Sequence, residues 1–153
     1  MTRGSTKQPG GRRRRGSAVV EVTLLAPWVF FLFIGVLDFG FYAYSIISTQ
    51  NAARVAALYT SANSYAAVNQ ARACEYAKDE MRTLPNVDPA SDCLSGNLVV
   101  ATTMLPEPFV NPGVPQQYFA RVSVTYQTIP MIPIPGLAGQ MTITRIAEMR
   151  VKR

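Results

Sequence analysis

The stretch VTLLAPWVFFLFIGVL, residues 22–37, holds sixteen residues without a charge. After Asp38, the segment FGFYAYSII extends the apolar character to Ile47. A helix of roughly 20 predominantly apolar residues crosses a bilayer core of about 30 Å. The sequence therefore predicts one transmembrane helix, preceded by a short basic segment and followed by the rest of the chain.

The charge distribution orients this helix. The formal net charge is +6 over 153 residues, yet the first sixteen residues, MTRGSTKQPGGRRRRG, contain six basic side chains and no acidic one. Residues 17–153 contain nine of each sign, which argues against a nucleic-acid binder. Arginines clustered before a span hold that end in the cytoplasm. We expect a single-pass protein of the cytoplasmic (inner) membrane, extracytoplasmic beyond about Ser48.

A cleavable secretory signal is the alternative explanation of the same pattern. Its apolar region would span residues 22–37, after the arginines. The apolar run is longer than such a region usually is, and no small-x-small cleavage site closes it before Gln50. The sequence therefore favours a permanent membrane helix.

Two acidic residues fall in the apolar stretch, Glu21 at its cytoplasmic edge and Asp38 well inside it. A carboxylate within a membrane costs a few kcal/mol on insertion scales, so each should have a partner or a wet environment. No Lys or Arg lies between Ser17 and Ala53. A partner for Glu21 must come from another chain, from lipid headgroups or from a positive charge created later. For Asp38, contact with a partner helix and snorkelling to the outer interface both stay open.

Three short motifs follow one another in the N-terminal third: RGSAVVE at residues 15–21, GVLDFG at 35–40 and QNAAR at 50–54. The order of basic leader, glycine, four residues, glutamate and apolar helix resembles the type IV prepilin processing site. Residues 16–59 are similar to the N-terminal region of TadE-like pseudopilins of the tight-adherence (Tad, Flp-type) pilus system. The resemblance covers about a third of the chain.

The resemblance implies a function and a set of site residues. A prepilin peptidase would cut between Gly16 and Ser17, and Glu21 would pair with the new ammonium group of a neighbouring subunit or be recognised by the peptidase. Residues for membrane packing would be Pro27, Gly35, Asp38 and Gly40. The mature chain would be a structural minor pilin or pseudopilin in a pilus for adhesion.

The implied partners are the prepilin peptidase, other pilins and pseudopilins, membrane proteins of the assembly platform and membrane lipid, with no nucleic acid. The alternative function is a monomeric, signal-anchored extracytoplasmic binding domain that joins no pilus. In that alternative Gly16 is a flexible hinge and Glu21 is incidental.

The chain beyond the membrane predicts a small α+β module. We divide the chain into a leader, residues 1–16, a transmembrane and stalk helix, 17–58, and an extracytoplasmic module, 59–153. A second helix is predicted over 64–83, with an apolar stripe formed by Ala67, Ala71, Cys74, Ala77, Met81 and Leu84. It would cover an antiparallel sheet of three, or four, strands, with strands at 98–104, 119–129 and 141–151 and proline-rich connections between them.

The cysteine count and the missing histidines limit the chemistry. Cys74 and Cys93 both fall in the segment expected outside the cytoplasm, which favours a disulfide over two unpaired buried thiols. With no histidine in the chain, Ser-His-Asp and Cys-His catalytic systems and histidine-bearing metal sites are excluded. We expect no catalytic residue, metal or cofactor, and hence a protein that is not an enzyme.

Overall fold

The computed structural model describes residues 15–107, 113, 116–129 and 140–152. Most of the expected leader, residues 1–14, and most of both proline-rich connections lie outside the described residues. The chain divides into two compact units, the first ending at Asp38 and the second beginning at Phe39. The first helix, α1, spans Arg15–Thr60. The predicted helix over 17–58 is thus confirmed to within two residues at each end.

The predicted second helix is two helices, α2 at Ser64–Ala67 and α3 at Gln70–Glu80. The side chain of Asn69 accepts a hydrogen bond from the backbone N–H of Arg72 at 3.1 Å and so caps a new helix. The prediction of one continuous helix over 64–83 is wrong because this side-chain cap competes with continuation of the backbone hydrogen bonds.

This interruption changes which alanine is buried. Five of the six predicted stripe positions are buried: Ala67, Cys74, Ala77, Met81 and Leu84. The sixth, Ala71, is exposed, whereas Ala73 has no exposed surface. The predicted burial of Ala71 is wrong because α3 begins again after the break, with a different rotation about its axis.

The described strands form an antiparallel sheet in the order β1-β2-β3, with β1 at Leu98–Pro106, β2 at Tyr118–Gln127 and β3 at Thr142–Arg150. The alternation predicted for the central strand is confirmed. Its buried residues are Ala120, Val122, Val124 and Tyr126, and the residues between them point away from the core. The α+β class with a three-stranded antiparallel sheet is therefore confirmed.

The end of α1 supplies a face of small side chains to the core of the second unit. Four alanines without exposed surface belong to one cluster with α3 and the sheet: Ala52, Ala53, Ala56 and Ala57. Ser45 and Thr49 are also fully buried, and their hydroxyl groups donate to Phe41 O at 3.0 Å and Ser45 O at 2.7 Å. These bonds offset the cost of burying a hydroxyl group. The sheet is therefore covered by α1 as well as by the second helix that the sequence predicted.

A disulfide joins α3 to the segment before β1. Cys74 and Cys93 are bonded, 19 residues apart, and both are buried. Beside the disulfide, Lys78 Nζ donates to Pro89 O at 2.9 Å and to Ser91 O at 2.8 Å. The predicted disulfide is thus present, and the alternative of two free thiols is not.

The second unit has two ends, or poles. At the N-terminal pole, the hydroxyl groups of Tyr44 and Thr83 are hydrogen-bonded at 2.7 Å. The buried Tyr126 donates its hydroxyl proton to Pro85 O in the same turn, and desolvation raises the pKa of this phenol. The start of β3 lies beside the end of β2, because Thr128 N–H donates to Met141 O at 2.9 Å.

At the C-terminal pole, Lys152 N–H donates to Ser61 O and Val151 N–H donates to Tyr118 O, both at 2.8 Å. Ser61 directly follows the end of α1, and Lys152 lies two residues after the end of β3. The part of α1 in this unit and β3 therefore both run from the N-terminal pole to the C-terminal pole.

Candidate functional site

The candidate site is the part of α1 in the first unit, which exposes apolar side chains on all sides. Of residues 18–38, only Ile34 and Asp38 are half-buried, and the others are exposed. Trp28 is 75% exposed and Phe30 61% exposed, although residues two apart project from nearly opposite sides of a helix. A helix that is apolar all round belongs in a membrane or among other helices. By length and composition α1 can cross a membrane, which fits a single-pass membrane protein.

Glu21 and Asp38 bracket the charge-free segment. Glu21 lies six residues after the start of α1 and is exposed. Asp38 lies 17 residues further on, which is about 26 Å along a helix. Asp38 is half-buried and makes no hydrogen bond or ion pair with any other described residue. The two carboxylates therefore lie near the two edges of a 30 Å hydrocarbon core when the segment is placed across it.

Pro27 lies inside α1 without ending it. A proline has no N–H, so the carbonyl of Thr23 loses its helical donor. The Thr23 hydroxyl is already engaged, since it donates to Val19 O at 2.8 Å. Pro27 therefore removes one regular helical hydrogen bond, at a carbonyl two residues beyond Glu21.

Gly35 and Gly40 are open sites on the helix surface. A Cβ built at either glycine would meet no heavy atom within 4 Å. Nothing in the described chain itself requires a glycine at these two positions. Their role in membrane packing, like that of Pro27 and Asp38, stays a prediction.

Gly16 and Ser17 lie in the first turn of α1. Cleavage between them and charge pairing by Glu21 are events that a single chain does not display, so both stay predictions.

Among the described residues, no group of three or more Cys, Asp and Glu side chains is placed to hold a metal ion.

The motif QNAAR differs from the other two motifs because it lies in the folded core. Ala52 and Ala53 have no exposed surface, while Arg54 is exposed. This packing role is not among the sequence predictions, in which QNAAR carries only the resemblance. The available signal was the spacing of small residues at 45, 49, 52, 53, 56 and 57, which marks one face of a helix.

The comparisons with known proteins agree with the N-terminal motifs. The family model described as TadE-like protein matches residues 16–58. Comparisons with curated proteins and with solved structures return no match. The matched range begins at Gly16 and contains all of the predicted membrane residues together with QNAAR. Residues 16–58, a little over a quarter of the chain, are therefore similar to the corresponding segment of TadE-like proteins.

Proposed function

We propose that the chain is a structural, non-catalytic subunit: a TadE-like pseudopilin or minor pilin that takes part in the assembly of a tight-adherence pilus for surface attachment. The observation that carries this proposal is the apolar helix without a buried face, which begins close to Glu21 and coincides with the TadE-like match. Such a helix has two stable environments, a bilayer and a bundle of similar helices, and a pilin uses both in turn.

The first step of the proposal is removal of the leader in the membrane. With the arginines in the cytoplasm, a prepilin peptidase cuts between Gly16 and Ser17. A glycine before the cut lets the backbone approach a protease cleft closely, because it has no Cβ. Cleavage removes all six basic residues of the leader and leaves a single ammonium group at Ser17.

The second step is pairing of this ammonium group with Glu21 of a neighbouring subunit. Ser17 and Glu21 are four residues apart, so two parallel helices would be staggered by about 6 Å when the groups are level. Glu21 is also near the N-terminus of the mature helix, where a negative charge is stabilised by the helix dipole. The proposed partners are the peptidase, other pilins and pseudopilins, the assembly platform in the membrane and lipid.

Leader removal is tested by the intact mass of the protein extracted from membranes of its native host. We expect a chain that begins at Ser17, and a full-length chain in a host without the peptidase. Gly16→Leu should block the cut, whereas Gly16→Ala, which adds one carbon, should be cut at least in part. An intact leader in the native host would instead support the monomeric signal-anchored domain. Cleavage near residues 43–45 would support a secretory signal.

Assembly is tested by Glu21→Gln, which removes the charge and keeps nearly the same size. Insertion and leader removal should persist, but crosslinking to other pilus subunits should fall, since breaking a fully buried pair costs about 3–5 kcal/mol and headgroup water reduces that cost. Glu21→Asp keeps the charge and should retain more crosslinking than Glu21→Gln. Equal crosslinking by all three proteins at matched expression would refute the charge pairing.

A further inference from the structure

The length of α1 places the second unit close to the membrane surface. Phe41 and Tyr42 already pack against the core of this unit, and Ser45 is fully buried in it. Tyr44 lies 23 residues after Glu21, which is about 35 Å along a helix. A bilayer is about 30 Å thick in its hydrocarbon core and about 40–45 Å with its headgroups. With Glu21 at the inner edge of the core, Tyr44 lies in the outer headgroup layer, and no residues remain for a stalk.

Hydrogen bonds join Tyr44 to the other parts of the N-terminal pole. The hydroxyl of Tyr44 is bonded to Thr83, and the same turn is bonded to β2 through Pro85 O and through the amide of Asn86, which donates to Gln127 O at 3.3 Å. Through the contact between Thr128 and Met141, the start of β3 belongs to the same end of the unit. A membrane that reaches Tyr44 therefore also lies beside the turn after α3 and the start of β3.

The exposed side chains of this pole suit a headgroup layer. Tyr44 is 46% exposed and Met141 41% exposed, and Arg82 in the adjacent turn is exposed as well. Tyrosine and arginine combine an apolar body with a polar end that reaches water or phosphate, and methionine is apolar throughout. The C-terminal pole also carries an exposed tyrosine and basic residues, so side-chain chemistry alone does not choose between the poles. The chain connection selects the N-terminal pole, because the six helical residues from Asp38 to Tyr44 span only about 9 Å.

We propose that the N-terminal pole, formed by Tyr44, Arg82, Thr83, Pro85 and Met141, rests on the outer leaflet as a lipid-contacting surface. This inference depends on the membrane anchoring in the proposed function, but on neither leader cleavage nor pilus assembly. Lipid contact at a second place fixes the orientation of the unit over the membrane, which a single helix crossing the bilayer does not.

The test uses the full chain in nanodiscs of phosphatidylethanolamine and phosphatidylglycerol. Because both native cysteines are in the disulfide, a spin label attaches only to an added cysteine. Arg82→Cys and Met141→Cys place labels at the N-terminal pole, and the exposed Ser64→Cys and Lys152→Cys are matched controls for the opposite end. We expect the labels at 82 and 141 to collide several-fold less often with an aqueous nickel chelate, and more often with oxygen, than those at 64 and 152.

The single tryptophan separates failure of the anchoring from failure of this inference. Trp28 lies in the proposed span, and its fluorescence should be quenched by lipids that carry a nitroxide in the acyl chain. Quenched Trp28 together with labels at 82 and 141 as water-accessible as the controls would overturn the lipid-contacting surface and leave the anchoring intact. Unquenched Trp28 would overturn both. Labels shielded equally at the two poles would refute the assignment to the N-terminal pole.

Discussion

Replacing either of two alanines of α3 by leucine tests the helix break at Asn69 and the core that depends on it. Ala73 has no exposed surface and belongs to the hydrophobic cluster, while Ala71, two residues earlier in the same helix, is exposed. Ala73→Leu forces three extra carbons into a filled site, and overpacking of this kind costs about 1–3 kcal/mol. Ala71→Leu adds the same carbons to the surface, where substitutions stay within about 0.5 kcal/mol. Leucine and alanine both favour helices, so propensity does not mask the difference.

The measurement is urea unfolding of the full chain in detergent micelles. All seven tyrosines lie in the second unit, so near-ultraviolet circular dichroism of tyrosine reports on this unit, with little signal from the membrane helix. We expect Ala73→Leu to unfold at clearly lower urea than the wild type and Ala71→Leu at nearly the same urea. A continuous helix over 64–83 would reverse this order. Equal midpoints for the two variants, or the reversed order, would refute the packing described for α3.

Three further predictions use the same unfolding measurement. Replacing both Cys74 and Cys93 by alanine should lower the free energy of unfolding by about 3 kcal/mol, the chain-entropy value for a loop of this length, and an unchanged midpoint would contradict it. Asn69→Ala should cost about 1 kcal/mol through the lost cap, whereas Asn69→Asp, which keeps an acceptor, should cost less; equal stability of both would show that the cap does not set the break. Burial raises the pKa of Tyr126 in the folded protein, so unfolding releases a proton above about pH 10, the ordinary pKa of tyrosine, and stability should fall as the pH rises from there through the folded pKa. Tyr126→Phe should weaken that fall, and an identical pH dependence in the two proteins would exclude Tyr126 as its source.

The parts of the fold that follow from residue periodicity were predictable. The uncharged run of residues 22–37 predicts a long apolar helix, and strict alternation in β2 predicts which face of the sheet is buried. The break between α2 and α3 was not predictable from periodicity. It depends on one asparagine side chain that bonds a backbone N–H three residues later, a local contact that an apolar pattern does not encode.

The alanine-rich end of α1 shows a second limit. Alanine favours helices in any environment, so the sequence around residues 52–57 indicates a helix but not which neighbours it touches. Only the fold places these residues against α3 and the sheet. In the candidate site, Glu21, Asp38 and the apolar segment between them can be read directly from the sequence, and the roles assigned to the two carboxylates stay predictions. A cleavage and a contact between subunits involve other molecules, and one chain cannot display either.

The placement of the two chain ends determines how the second unit bears mechanical load. The chain enters at the N-terminal pole through α1 and leaves at the C-terminal pole through β3, where Lys152 is bonded to Ser61. Tension between the membrane helix and the C-terminus therefore acts along β3. Its hydrogen bonds to β2 are perpendicular to the strands and extend over nine residue pairs, from Thr142 to Arg150. Such a pull loads these bonds together in shear rather than opening them one after another.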